Sequence, residues 1–187
     1  MATPVKVHGP PLSTAVSRVL ACLIEKDVPF QLIPVNMAKG EHKSPDFLKI
    51  QPFGQVPAFQ DEAISLFESR AICRLKGRAL TPELSSGVPT SVCARMKLKQ
   101  DESLISQMRR SWKKCWSVRE EAGESRFLAG DEFSLADLSH LPNAHYLVTA
   151  TDRGEMFTSK KNVGRWWGEI SSRDSWKKVV DMQKQST

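Results

Sequence analysis

Two serines stand where a protein chain can hold negative charge. Ser13 follows the breaker Gly9-Pro10-Pro11 and precedes a run in which Val16, Val19, Leu20 and Leu23 recur at helical spacing. Its hydroxyl therefore lies at a helix N-terminus, where unpaired backbone N–H groups and the helix dipole favour an anion. Glu68 and Ser69 open a second helical stretch, and between the two starts lie His42 and Lys43 on a polar loop and Gln55-Val56-Pro57 in a loop-to-strand setting. Taken singly, each has a plainer reading. Ser13 is an ordinary N-cap, Glu68 and Ser69 a capping pair, Lys43 a solvated charge, His42 a surface histidine and Pro57 a trans turn residue. His8 and His140 read as structural or surface residues.

The elements that must position these groups alternate in type. Val5 to Val7 is a β-rich run, ended by Gly9-Pro10-Pro11 before the helix that starts at Ser13 and Thr14. On that helix Arg18, Glu25 and Lys26 lie off the apolar face. Phe30 to Val35 is a second strand, and Pro34, which cannot donate to a ladder, places it at an edge or a strand end. Asp46 to Ile50 is a short helical turn. Val56 to Phe59 and Ile64 to Phe67 are strands joined by Asp61-Glu62, and a helix follows from Glu68. The order is βαβαββα.

Composition narrows the function classes. With 187 residues, 40% hydrophobic and 26% charged, the chain is too apolar for intrinsic disorder. It has no apolar run of the roughly 18 residues needed to cross a bilayer, and no secretory signal precedes Pro11. A soluble cytosolic protein is expected. Cys22, Cys73, Cys93 and Cys115 are widely and irregularly spaced without a C-x-x-C pair, so reduced thiols are expected, with no metal site. The net charge of +6 is concentrated between residues 75 and 122. A basic stripe with Trp112 and Trp116 would suit single-stranded nucleic acid, but a local oddity within a near-neutral chain is the reading adopted, with no nucleic-acid partner.

Pro52 to Phe59 (Pro-Phe-Gly-Gln-Val-Pro-Ala-Phe) and Leu66 to Ile72 (Leu-Phe-Glu-Ser-Arg-Ala-Ile) together resemble the glutathione-binding domain of cytosolic glutathione transferases. With Gly9-Pro10-Pro11-Leu12-Ser13 and Gly40-Glu41-His42-Lys43, the chain looks like the plant phi class, from Val5 to Arg74 and again from Gly123 to about Met182. The resemblance implies a thioredoxin-like α/β domain followed by an all-α domain, with boundaries at 1–78 for the first, 79–94 for an irregular linker and 95–187 for the second. It implies that Ser13 holds glutathione as a thiolate. A free thiol has a pKa of about 8.5, and lowering it by two units takes about 2.7 kcal/mol of preference for the anion. A cysteine at this position would point instead to a thiol-exchange relative. By the same resemblance Pro57 is cis and Val56 pairs with the cysteinyl backbone by strand addition. His42, Lys43 and Gln55 hold the glycyl end and peptide backbone, Glu68 the γ-glutamyl ammonium and Ser69 its carboxylate. Glutathione is a co-substrate, no further cofactor is implied, and the second substrate is a small hydrophobic electrophile.

In the C-terminal part, Phe133-Ser134-Leu135-Ala136-Asp137-Leu138 reads as a capped helix start. Ser134 is at N-cap, Asp137 at N3, and Phe133 and Leu138 form a hydrophobic staple. The task of Ser134 and Asp137 is folding. Val163, Trp166, Trp167 and Ile170 mark another helix, and Trp176, Val179 and Val180 a short terminal one, with Gln183 to Thr187 frayed.

The middle departs from the pattern. Leu75 to Ala94 is broken by glycines and prolines where the family has a helix pair walling the electrophile pocket, and the chain is shorter there. Met108 to Ala122 is unlike the family, yet one permissible back-translation of it, read in its two other frames, gives amphipathic helix text. A frame-slipped helix accounts for Met108 to Ala122, and a similar slip, deletion or misplaced exon boundary for Leu75 to Ala94, with genuine divergence the competing account. A weakened homodimer follows, since the family dimerises partly through this segment. The altered wall also leaves a second function open, a non-catalytic binder of glutathione or an apolar ligand. If the frame has slipped, sequencing of independent transcripts will recover messages that lack Trp112 and Trp116; uniform presence of both tryptophans refutes the slip.

Overall fold

A computed structural model describes residues 3–76, 125–151 and 154–186. They fall into two compact units, 3–76 with 173–186, and 125–151 with 154–172. The segment read as altered, together with the linker, lies almost wholly outside the described residues. In chain order the elements are β1 (Val5–His8), α1 (Thr14–Glu25), β2 (Phe30–Ile33), α2 (Pro45–Ile50), β3 (Ala58–Gln60), β4 (Ser65–Phe67) and α3 (Ser69–Lys76). The second unit contributes α4 (Leu135–Ala150), α5 (Glu155–Thr158) and α6 (Lys161–Ser171), and α7 (Asp174–Gln185) belongs to the first. A 3-10 turn, Glu41–Lys43, precedes α2.

The sheet runs β2-β1-β3-β4. β1 pairs in parallel with β2, from Val5 opposite Phe30 to His8 opposite Ile33, and antiparallel with β3, where His8 faces Ala58. β4 closes the other edge, with Phe67 opposite Ala58. Pro34 comes directly after an edge strand, where its missing N–H leaves no ladder bond unmade. This mixed sheet with its helices is the thioredoxin-like α/β domain implied by the sequence.

α1 departs from the simple amphipathic reading. Every residue from Val16 to Leu23 is buried, including Arg18, because β1, α3 and α7 all pack against this helix. Cys22 and Cys73 meet where α1 faces α3 and are free thiols. Cys22 Sγ lies 3.8 Å from the Cys73 carbonyl oxygen, and Cys73 Sγ lies 3.7 Å from that of Arg18.

α7 also differs from expectation, since the sequence placed it with the helical domain and frayed its end. The helix persists to Gln185 and packs on α1, with Trp176, Val179 and Gln183 buried. At its start Arg173 grips Glu25 with two bonds, Nε to Oε1 at 2.7 Å and Nη2 to Oε2 at 2.6 Å, and the Ser175 hydroxyl donates to the same carboxylate. The stripe 176, 179, 183 is thus completed by a residue whose polar type hid its burial.

In the second unit Leu138, Val163, Trp166 and Ile170 are fully enclosed, as helix-packing residues should be. The carboxylate of Asp137 is enclosed with them. Its Oδ2 accepts the Ser134 N–H at 3.0 Å and hydroxyl at 2.8 Å, and its Oδ1 accepts Leu128 N–H at 2.9 Å and Trp166 Nε1 at 2.7 Å. One side chain thereby ties the start of α4 to the preceding loop and to α6. The Phe133 ring packs edge-on against Phe127, with centroids 5.9 Å apart.

Burial opposes ionisation of Glu25, but the bonds from Arg173 and Ser175 outweigh it and hold its carboxyl below the ordinary range. A depressed acid stabilises the fold above its unfolded pKa, about 4.3, and loses that contribution as pH falls through the folded value. Glu25→Gln is expected to lower stability by about 2 kcal/mol at pH 7. In urea unfolding, its deficit relative to wild type should shrink below about pH 4; a deficit independent of pH would mean that charge is not what holds α7.

Candidate active site

The chain reaches Ser13 through a constrained corner. Gly9, at φ +142°, ends β1 and donates its N–H to the Ile33 carbonyl at 3.0 Å. A Cβ there would stand 2.6 Å from Val16 Cγ2 and 3.0 Å from Val56 Cβ. Only a residue without a side chain lets the first turn of α1 and Val56 come this close. Ser13 then donates its N–H to the Pro10 carbonyl at 3.0 Å, and its own carbonyl accepts the first helical bond, from Ser17 N–H at 2.8 Å. With φ −71° and ψ 127° it is the N-cap by position, yet its hydroxyl caps no backbone N–H. The ordinary N-cap reading therefore lacks its hydrogen bond. The hydroxyl and the unpaired amides of the first turn are left at one place.

Val56 stands beside this corner. The Val56–Pro57 peptide bond is cis. The ladder of β3 begins at Ala58, and among the described residues the Val56 backbone makes no backbone hydrogen bond. Its side chain packs on the cluster of Val35, Phe47 and Ala58, so it is anchored on one side and unpaired along its main chain. That is the geometry needed to accept an extended peptide as an added strand.

His42 and Lys43 sit on the 3-10 turn, facing the loop that leads to Val56. Lys43 Nζ donates to the Phe53 carbonyl at 3.0 Å, so it is a directed cation rather than a loose one. Gly54 makes room for it: at φ +58°, a Cβ would meet Lys43 Cδ at 2.7 Å and the His42 carbonyl at 2.8 Å. His42 is half-buried, and its Nδ1 is enclosed without a hydrogen-bond partner among the described residues. Gln55 is exposed next to Val56.

The second helix start lies against α1. Ser69 is the first residue of α3 and is buried, and Glu68 before it is exposed. Glu68 adopts φ +69°, a left-handed conformation uncommon for a residue with a side chain and a form of local strain. Arg18 Nη1 donates to Ser69 Oγ at 2.8 Å. A guanidinium only donates, so the serine oxygen is the acceptor and its own hydrogen is turned away from Arg18. Arg18 itself is pushed down to about 10, by burial first and then by the neighbouring Arg70, and so stays charged at neutral pH. A buried cation thus lies beneath the Ser69 hydroxyl at the start of α3.

Arg18 was not among the residues singled out in the sequence, where it counted as part of the polar face. The available signal was its place in a helix that turns out to be covered all round. Ser134 and Asp137 belong to the other unit, in the network described above. His8 Nε2 is 2.9 Å from Gln60 Oε1, and burial pushes its pKa down. His140 Nδ1 donates to the Ala136 carbonyl at 2.7 Å, and its ring stands edge-on to Trp166. Among the described residues no helix is long and apolar enough to cross a membrane, and no group of three metal-ligating side chains converges.

Comparison with known proteins bears on this arrangement. The model of the glutathione S-transferase N-terminal domain matches residues 3–75. Glutathione S-transferase F11 of Arabidopsis thaliana is 36% identical over 209 aligned positions, covering 95% of this chain and 98% of the relative. The crystal structure of glutathione transferase F2 from Populus trichocarpa is 55% identical, covers 97% of this chain and 100% of its own, and superposes with a TM-score of 0.89. Glutathione S-transferase I from maize, solved with an atrazine glutathione conjugate, is 30% identical over 99% of this chain and 100% of its own, with a TM-score of 0.82. With two helix starts, an unpaired strand end and a directed lysine gathered in one unit, and with relatives matched along nearly its whole length, the chain belongs to the plant phi class of the glutathione S-transferases.

Proposed function

We propose that this protein joins the sulfur of glutathione to small hydrophobic electrophiles, with Ser13 donating its hydroxyl hydrogen bond to the bound thiolate. The observation that carries this reading is the Ser13 hydroxyl, which sits at the start of α1 without a capping duty. The thiol proton leaves to solvent, the thiolate attacks the electrophilic carbon, a C–S bond forms and the leaving group departs with its electron pair. Stabilising the anion raises the fraction of reactive sulfur at neutral pH, and holding both reactants together supplies the rest of the acceleration. The maize relative solved with a glutathione conjugate supports the substrate class.

Around the sulfur, Val56 pairs its N–H and C=O with the cysteinyl residue of the tripeptide, in the unpaired position described above. Lys43 and His42 receive the glycyl carboxylate, and Gln55 holds the peptide backbone. Ser69 donates its hydroxyl hydrogen to the γ-glutamyl carboxylate with Arg18 behind it, and Glu68 binds the ammonium. Glutathione is the co-substrate and no further cofactor takes part. The working form is a cytosolic homodimer. The non-catalytic alternative rested on the segment from 75 to 122, of which only the start of the range is described, and nothing in the described residues favours it.

Retention on immobilised glutathione followed by conjugation of a small aryl halide tests the proposal. Ser13→Ala should keep the fold and lose about 100-fold in kcat, with the ionisation of bound glutathione moved to higher pH. An unchanged rate would remove Ser13 from the mechanism. Glu68→Gly separates binding from folding. Release of the left-handed strain should outweigh the added chain entropy by about 0.5 kcal/mol and raise Tm. Loss of the ammonium contact should raise KM for glutathione about tenfold; an unchanged KM would remove Glu68 from the site.

A further inference from the structure

Gln183 occupies a place that the apolar stripe of α7 reserves for a hydrophobic side chain. Trp176, Val179 and Gln183 follow at helical spacing and all are buried within the first unit. A polar side chain in such a position is costly unless its hydrogen bonds are made. Here they are made to the corner that delivers Ser13. Gln183 Nε2 donates to the Pro11 carbonyl at 3.1 Å and to Ser17 Oγ at 2.9 Å. The Ser17 hydroxyl donates to that same Pro11 carbonyl at 2.5 Å. A carbonyl only accepts, so the amide presents its nitrogen here, and both of its hydrogens have partners.

Ser13 lies between the two groups that Gln183 holds, two residues after Pro11 and four before Ser17. Ser17 reaches it directly as well, through the N–H that donates to the Ser13 carbonyl at 2.8 Å. Pro10 and Pro11 have no N–H with which to fix this segment. Its main-chain anchors include the Gly9 N–H on Ile33 and the Ser13 N–H on Pro10, and the Pro11 carbonyl accepts from both Ser17 and Gln183. We infer that Gln183 is a positioning residue for the reaction. Its carboxamide, carried on the C-terminal helix, sets the place of the Ser13 hydroxyl by holding Pro11 and Ser17 together.

This inference rests on the role of Ser13 proposed above, and the experiment distinguishes the two. Gln183→Met keeps length and bulk while removing both donors. The full chain is assayed for aryl halide conjugation over a range of pH, and the ultraviolet absorbance of bound thiolate is titrated, for wild type, Gln183→Met, Ser17→Ala and Ser13→Ala. The expected result for Gln183→Met is a five- to tenfold loss of kcat, KM for glutathione within about twofold of wild type, and a thiolate titration displaced to higher pH. Ser17→Ala, which removes one arm of the same contact, should shift the titration in the same direction. If Gln183→Met lowers only Tm and leaves the titration in place, the residue is structural and the inference fails while Ser13 stands. If Gln183→Met does not fold, Ser17→Ala decides: an unmoved titration overturns the inference. If Ser13→Ala itself moves nothing, the reading on which the inference rests has failed.

Discussion

An α-helix cannot pair the first amide hydrogens of its own backbone, and this unit places two such helix starts around one unpaired stretch of strand. The starts of α1 and α3 bring electropositive N–H groups, each with a serine hydroxyl, and Val56 supplies the main chain between loop and sheet. A ligand that fits must carry an anion at each helix start and an extended peptide at the strand end. Glutathione has that form, with a sulfur that ionises and a carboxylate on a γ-linked arm. The sheet, the packing of α1 and the corner at Gly9 maintain these three positions relative to one another.

Support for the two starts comes from opposite directions. At α3 a buried guanidinium turns the Ser69 hydroxyl outward and adds charge beneath it. At α1 the support is neutral, since a carboxamide from α7 holds the main chain before Ser13 and the hydroxyl of Ser17. The difference suits the tasks proposed for the two serines. A fixed carboxylate gains from a full positive charge below it. A sulfur that must leave its anionic state as it forms a bond is better served by directed hydrogen bonds, since a buried cation would bind the ground state too strongly to let it react.

The sequence made the first unit legible because its breaks are covalent. Proline and glycine at 9–11, 34, 52 and 54 stop β1, β2 and α2 near where the structure stops them, and the order βαβαββα needed no tertiary information. Of the residues proposed for the glutathione site, Ser13 and Gln55 to Pro57 stand next to those same breaks. What escaped was polar burial. Arg18 and Gln183 are of types normally solvated, and only the packing of α3 and α7 on α1 encloses them. Residue type alone could not reveal that enclosure. The attachment of the last helix to α1 escaped for a related reason, since Arg173 on Glu25 joins residues far apart in sequence and leaves no local trace. In the second unit Asp137 was readable as half of a capping pair, whereas its bonds to Leu128 and Trp166 were not.

The corner at Gly9 leaves no tolerance for even a minimal side chain. A β-carbon at position 9 would come within 2.6 Å of Val16 and 3.0 Å of Val56, so the smallest possible side chain there would act as a shim between the α1 turn and the strand end. Clearance and a φ of +142° therefore both call for glycine at this position. A single added methyl group would press the α1 turn and the strand end apart and widen the cleft between them.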